Sequence, residues 1–324
     1  MRIPGIHWLA LALLALATAC AGFWLAPASQ TASSAPWGRD YFPNTELIDQ
    51  DGEHLRFFDD LIEGKVVAIN FIFTSCGDSC PLETARLRQV QKLLGDQVGR
   101  DVHFYSISID PIHDTPDVLK AYATKFQVAP GWQFLTGDYD EITRLREKLG
   151  LLVPGDDPGN LKQHNLSLVV GNQATGEWMK VSPFENPYIL ADKLGNELQN
   201  WRKSNAGARS YADAPVIRPP SNGEQLFRTR CSACHTLGPQ DGELGALRGV
   251  GPDLLGVTHQ RDPKWLTRWL KEPDRMLAEK DPLAVDLFRQ YNQVAMPNLQ
   301  LGEQDIQALM QYMDDETLRQ QAKR

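Results

Sequence analysis

The chain has 324 residues, with 33 Lys and Arg against 41 Asp and Glu and a formal charge of −8, a length that accommodates two ordinary domains, each with its own core. The acidic excess is uneven: 17 basic against 25 acidic side chains over residues 39–203, and 13 against 15 over residues 221–324. With no basic stripe, nucleic acid is excluded as a partner, because phosphate contacts need clustered Lys and Arg; an acidic face that attracts basic partners remains.

No Asp, Glu, Lys or Arg occurs between Arg2 and Arg39. Residues 6–26 are largely apolar, and about 21 such residues in a helix cross a hydrocarbon layer of ~30 Å. Arg2 on the short leading side keeps that end cytoplasmic and sends the bulk of the chain across. Residues 1–26 therefore read as a membrane anchor or signal segment. A retained anchor is favoured because Phe23, Trp24 and Leu25 continue the apolar run. A signal peptide cleaved near Ala17-Thr18-Ala19 is a second reading, and a lipoprotein acylated at Cys20 a third, although a large aliphatic residue three positions before that Cys is missing. All three put the protein on the periplasmic or extracytoplasmic side, and residues 27–38 follow as a tether.

Residues 66–73 form a continuous apolar run, the pattern of a strand buried on both faces. Pro81 opens a helix carrying Leu82, Ala85, Leu87, Val90, Leu93 and Leu94. Strand 103–109, helix 115–126, strand 132–135 and helix 138–149 follow, then a hairpin of 166–170 with 178–181 and a helix reaching Trp201. Strands alternating with helices predict an α/β sheet with parallel pairs. Asp114 and Thr115 read as caps of the helix that Pro116 begins; the alternative is that Asp110 and Asp114 shape a docking surface. Residues 204–220, closing with Pro219-Pro220, have the composition of an inter-domain linker. Beyond them, Ser221 and Glu224 have capping-box spacing, and helices are expected at 265–270, 283–291 and 303–318, with no strand. This second region, 221–324, is expected to be a small all-α domain organised around a cofactor.

Two cysteine pairs carry the chemistry. Cys76 and Cys80 form Cys-x-x-x-Cys directly after the apolar strand. A strand-to-helix turn puts Cys80 near the positive end of a helix, which favours the thiolate; Asp78 opposes that effect. Such soft ligands suit Cu(I), and the same pair suits dithiol exchange. Among seven His residues, His164 heads a strand after loop 154–160 and can swing toward the pair, with an ordinary loop imidazole as the alternative. Downstream, Cys231-Ser232-Ala233-Cys234-His235 is a c-type haem attachment sequence: two thiols bond the porphyrin and the imidazole ligates iron.

With Asn70-Phe71-Ile72-Phe73-Thr74, Cys-x-x-x-Cys-Pro, Asp110-Pro111-x-x-Asp114-Thr115-Pro116 and a late His before a strand, residues 39–203 resemble the Sco/SenC proteins. The resemblance implies a thioredoxin-like fold and copper held by Cys76, Cys80 and His164. Gly77 and Ser79 depart from the family's usual choices between the cysteines. Residues 221–324 resemble class I cytochromes c, with Gly223 and Phe227 before the motif, Gly251-Pro252-Asp253-Leu254 after it and Met296-Pro297-Asn298-Leu299 before a final helix. That likeness implies haem c with His235 as proximal and Met296 as distal ligand. Met276 is the rival for the distal place, while Met310 and Met313 share helical spacing with Ile306 and Leu309 and belong to a core. Pro252 is expected to hold the His235 ring through its carbonyl.

The whole is expected to be an α/β thioredoxin-like domain followed by an all-α cytochrome c domain. The Sco resemblance implies a metallochaperone for the copper-site subunit of a respiratory oxidase. The alternatives are a thiol-disulfide oxidoreductase acting through Cys76 and Cys80, and a relay or sensor in which the haem, with its own redox partner, is coupled to the first site. One haem moves one electron, which matches Cu(I)/Cu(II); a dithiol step needs two.

Overall fold

The computed structural model describes residues 38–77, 79–153, 155–161, 164–200, 220–238 and 250–322. The anchor or signal segment 1–26, nearly all of the tether and linker, Asp78 and Trp201 lie outside the described residues. Among the described residues no helix is long and apolar enough to cross a membrane.

The upstream part is built on a seven-stranded sheet in the order β2-β1-β5-β4-β3-β6-β7. Its centre is β3 (Val66–Ile72), with all seven residues buried. It pairs in parallel with β4 (Val102–Ser108), which pairs in parallel with β5 (Trp132–Gly137). The hairpin of β6 (Leu168–Asn172) and β7 (Glu177–Val181) extends the sheet antiparallel from β3. On the other side β1 (Glu46–Asp49) pairs antiparallel with β5 and β2 (His54–Arg56). These two short strands, of four and three residues, are too short to show a period in the sequence. The helices are α1 (Ser79–Leu94), α2 (Pro116–Lys125), α3 (Tyr139–Lys148) and α4 (Pro187–Asp192), the last continuing as a wider turn over Lys193–Glu197. Right-handed crossovers that step the same way, β3 to β4 to β5, put α1 and α2 on one face of the sheet. Thr84 and Tyr122 hydrogen-bond between these helices at 3.0 Å.

The downstream part is helical, as its sequence predicts. It comprises α5 (Asn222–Leu226), a π-turn over Phe227–Cys231, α6 (Pro263–Lys271), α7 (Pro273–Ala278), α8 (Pro282–Gln290) and the long α9 (Glu303–Gln321). Ser221 caps α5 by accepting from the Glu224 amide. At Gly223 a Cβ would lie 2.0 Å from the Ala308 carbonyl, so α5 crosses α9 at a distance that only glycine permits. Phe227 and Tyr312 pack beside that crossing, with ring centroids 5.7 Å apart. Ile306, Leu309 and Met313 are buried there, as their spacing requires.

Beneath β3 and α1 runs a buried polar chain. Glu83 is wholly buried and accepts from Asn70 Nδ2 at 2.8 Å; Asn70 Oδ1 accepts from Ser106 Oγ at 2.7 Å; Ser106 accepts from Trp132 Nε1 at 2.9 Å. Burial pushes the Glu83 carboxyl up to about 8, against the pull of the Asn70 hydrogen bond. A carboxyl with a raised folded-state pKa stabilises fully below its unfolded value, and that contribution fades as pH climbs through the folded value. Stability should therefore decline between about pH 4.5 and about pH 8. Glu83→Gln, which copies the neutral acid, should flatten that decline; urea midpoints of wild type and variant at the two ends of the window check it.

Candidate functional site

Two donor sets lie on either side of the start of α1. In the first, Cys76 is half-buried just past β3 and Cys80 is fully buried in the first turn of α1. The Cys76 amide donates to the Phe73 carbonyl at 3.2 Å, which closes the turn between strand and thiol. The preceding segment is tied down by Asp114, 1% exposed, whose carboxylate accepts from the Thr74 amide at 3.1 Å, from the Thr74 hydroxyl and from Ser108 Oγ at 2.5 Å. The capping role expected of Asp114 and Thr115 does not hold. Thr115 occupies the N-cap of α2 without a side-chain bond, and Asp114 braces the cysteine loop instead, because burial leaves its carboxylate the acceptor for three donors from two strand ends. Asp110 pairs with His113 at 2.8 Å, an exposed contact.

The thiol pair is asymmetric. The hydrogen bond with Cys76, then burial, pushes the Cys80 thiol far up from its usual range. The expected lowering at the helix start is overturned, because loss of water and a neighbouring sulfur outweigh the helix end. His164 approaches this thiol, with Nε2 at 4.0 Å from Cys80 Sγ. Its Nδ1 donates to the Leu161 carbonyl at 2.7 Å, and the Phe73 ring meets it edge-on with centroids 5.5 Å apart. Burial holds the imidazole below its usual pKa. A neutral ring with its proton on Nδ1 turns the Nε2 lone pair toward the sulfur. Among the described residues no three His, Cys, Asp or Glu side chains are gathered at metal-holding spacing. Cys80 is the member in contact with both others. Two donors on one soft ion at ~2.0–2.3 Å and a tetrahedral angle are about 3.5 Å apart, so the Cys80–His164 pair is within about half an ångström of that separation. Among the described residues, His54 pairs with Glu46 on the exposed edge strand and His103 stacks on Tyr105 within β4, away from the pair.

The second set surrounds a largely apolar cavity lined by Cys234, His235, Pro252, Trp269, Leu287, Phe288 and Met296 among others. His235 Nδ1 donates to the Pro252 carbonyl at 2.9 Å, the partner expected from the sequence. Burial lowers the pKa of that imidazole and raises the Cys231 and Cys234 thiols to about 12. A Cβ on Gly251 would sit 2.8 Å from the His235 ring, so the ring approaches the backbone more closely than any side chain there would allow. Met296 lines the cavity with His235, whereas Met276 is 1% exposed and is not part of its lining. Cys234, the His235 imidazole and the Met296 thioether line this apolar slot, while Cys231, buried one turn earlier, lies outside its lining. Two thiols for attachment to the macrocycle and an imidazole and a thioether for its iron are the groups that a c-type haem requires. The chain's own residues fit that group.

The Cys76–Cys80 turn depends on Asp114. Asp114→Ala should destabilise the protein by about 3 kcal/mol, since it leaves buried donors unpaired. Alkylation of Cys76 should accelerate, and denaturant melts with timed thiol labelling check both effects.

Comparison with known proteins agrees with this division. The SCO1/SenC family model matches residues 35–199, and the Cytochrome c model matches residues 220–316. A SCO2-like protein of Rickettsia felis is 32% identical over 165 residues, covering 49% of this chain and 74% of the relative. A SCO1 homologue of Bacillus subtilis is 37% identical over 89 residues, 27% of this chain and 45% of the relative. Among solved structures, a SCO1/SenC family lipoprotein of Bacillus anthracis is 30% identical, with a TM-score of 0.42, covering 49% of this chain and 95% of its own. The cytochrome c domain of the pp3183 protein of Pseudomonas putida is 59% identical, with a TM-score of 0.27, covering 31% of this chain and 91% of its own. With half of its length matched by one family model and the remainder of its described fold helical around a Cys-x-x-Cys-His segment, this chain belongs to the SCO1/SenC family and carries a cytochrome c domain after its Sco-type thioredoxin-like domain.

Proposed function

We propose that this protein handles copper for the assembly of a respiratory oxidase, taking Cu(I) as cargo on Cys76, Cys80 and His164 and releasing it to the oxidase's copper-site subunit. The observation that carries this reading is the approach of a neutral His164 Nε2 to Cys80 Sγ at 4.0 Å, with the ring held from behind by Leu161. A relative from Stutzerimonas stutzeri, 31% identical over 109 residues, bears a name that describes copper binding. Loading copper onto this set requires the Cys80 proton to leave, and the half-buried Cys76 is the sulfur from which cargo is first met or passed on. Transfer by exchange of thiolates needs no bond-making catalysis. In this reading the apolar segment 6–26 exports and tethers the chain, so that both sites face the extracytoplasmic side.

The cytochrome domain is read as holding haem c through Cys231 and Cys234, with His235 and Met296 as the axial pair. Such a group supplies one-electron transfer at a potential raised by the thioether ligand. His235, oriented by Pro252, is kept neutral and aimed into the cavity, while the apolar lining excludes water from it. One electron matches one copper oxidation step.

A second reading is favoured by the hydrogen bond between the two sulfurs. Cys76 and Cys80 would form their disulfide while two electrons and two protons pass to a partner disulfide, which becomes two thiols.

Competition with a Cu(I) chelator under anaerobic conditions on the reduced, haem-loaded protein separates these readings. One tight equivalent, weakened at least about tenfold (about 1.4 kcal/mol) in His164→Ala, is the expected result. Weak binding indifferent to His164 would favour dithiol exchange. Met296→Ala should retain covalent haem yet titrate at a lower midpoint potential, as followed by spectroelectrochemistry.

A further inference from the structure

The haem-attachment segment packs on α1, the helix that begins with the copper cysteine. Arg86, on that helix and 2% exposed, donates through Nη2 to the carbonyls of Arg228 at 3.0 Å and Thr229 at 2.8 Å. Its Nη1 donates to Gln89 Oε1 at 2.8 Å, and Gln89 Nε2 donates to the Ser232 carbonyl at 3.0 Å. Three successive bonds thus grip the backbone that leads through Cys231 to Cys234. Ala233, between the two thiols, is fully buried and joins the apolar core of the upstream domain, as does Val250. Cys234, Val294 and Leu299 pack against the same core. Pro81, covalently next to Cys80, lines the cavity that also contains Cys234, His235 and Met296.

We propose that the haem site is composite: α1 of the Sco-type domain supplies one wall of it through Pro81, and Arg86 and Gln89 lock the haem-attachment segment onto that wall. The proposal rests on the haem reading given above. Four consequences of burial make the contact a functional surface. The Arg86 charge is out of water, and its bonds across the contact go to backbone carbonyls, which leave the charge unneutralised. Both thiols that would carry the porphyrin feel that charge. A buried cation and a dry wall favour the reduced form of a neighbouring redox group, and so raise its potential. Finally, the peptide bond between Cys80 and Pro81 joins a copper ligand to a wall of the haem cavity.

The test uses the full-length, haem-loaded protein as wild type, Arg86→Gln with Gln89→Ala, Arg86→Lys, and Gln89→Ala alone. Covalent haem content is measured first on denatured protein, then midpoint potential by spectroelectrochemistry and domain tumbling by amide relaxation. The double variant is expected to titrate at a lower potential and its domains to tumble faster, toward independent motion. Arg86→Lys, which keeps the charge, should stay nearer the wild-type potential. Should the double variant fail to accumulate, Gln89→Ala alone is expected to shorten the tumbling time, since it removes the grip on Ser232 and one acceptor of Arg86 but leaves Arg86 its two carbonyl partners. A haem-loaded double variant with wild-type potential and tumbling, or a Gln89→Ala variant unchanged in tumbling, would overturn the composite site and leave the haem reading standing. A wild type without covalent haem would overturn both.

Discussion

Burying α1 against the sheet on one side and the haem-attachment segment on another takes Glu83, Arg86, Gln89 and Gln91 out of water, and each must then find its hydrogen bonds inside protein. Glu83 finds Asn70 on the central strand. Gln91 exchanges two bonds with Ala129, in the turn after α2. Arg86 and Gln89 find the backbone of residues 228–232. A helix with this many polar side chains would ordinarily present them to solvent. Here they point to three neighbours, the central strand, the turn after α2 and the backbone of residues 228–232, so α1 holds the sheet and the cytochrome segment together.

The first donor set works through unequal burial. Cys80 is inside, its thiol pushed far up by the hydrogen bond with Cys76 and by burial, while Cys76 sits nearer the surface. His164 is prepared by its own backbone. The Leu161 carbonyl takes the Nδ1 proton, which decides the tautomer and leaves the other nitrogen toward Cys80. Asp114 does the corresponding work for the loop, holding Thr74 two residues before Cys76. Much of what shapes the site therefore comes from groups outside the donor set.

The second set follows the same logic with different parts. Pro252 orients His235 and Gly251 leaves room for its ring, while aromatic and aliphatic side chains dry the cavity. Both sets combine imidazoles whose pKa burial lowers with thiols whose pKa is raised, by the Cys76 hydrogen bond and burial at Cys80 and by burial at Cys231 and Cys234. The first is suited to receive a soft metal ion with release of thiol protons; the second is suited to a covalently attached group, whose attachment would add each S–H across a double bond.

The local signals in the sequence proved strong where chemistry or period is carried by neighbours along the chain. The run at β3, the Cys-x-x-Cys-His segment, Gly223 and the core spacing of Ile306, Leu309 and Met313 are all patterns a few residues wide, and they specify an α/β domain followed by a helical one. Pro81 marks the start of α1 only approximately, because the helix begins two residues earlier at Ser79. The edge strands β1 and β2 were illegible because three or four residues show no period. The role of Asp114 was misread as a cap because its three donors come from Thr74 and Ser108, which only folding brings together. Sequence likewise favours a lowered Cys80 pKa, since the helix start is visible in the chain, whereas the Cys76 hydrogen bond and the burial that oppose it are not. The sequence by itself determined which side chains are available as donors and which segments become strands and helices, because propensity, period and motif are local. Tertiary structure alone decided how His164, a candidate in the sequence, approaches Cys80 with its ring held by Leu161, and that Arg86 reaches a backbone 142 residues away, because burial and contact are properties of the packed chain.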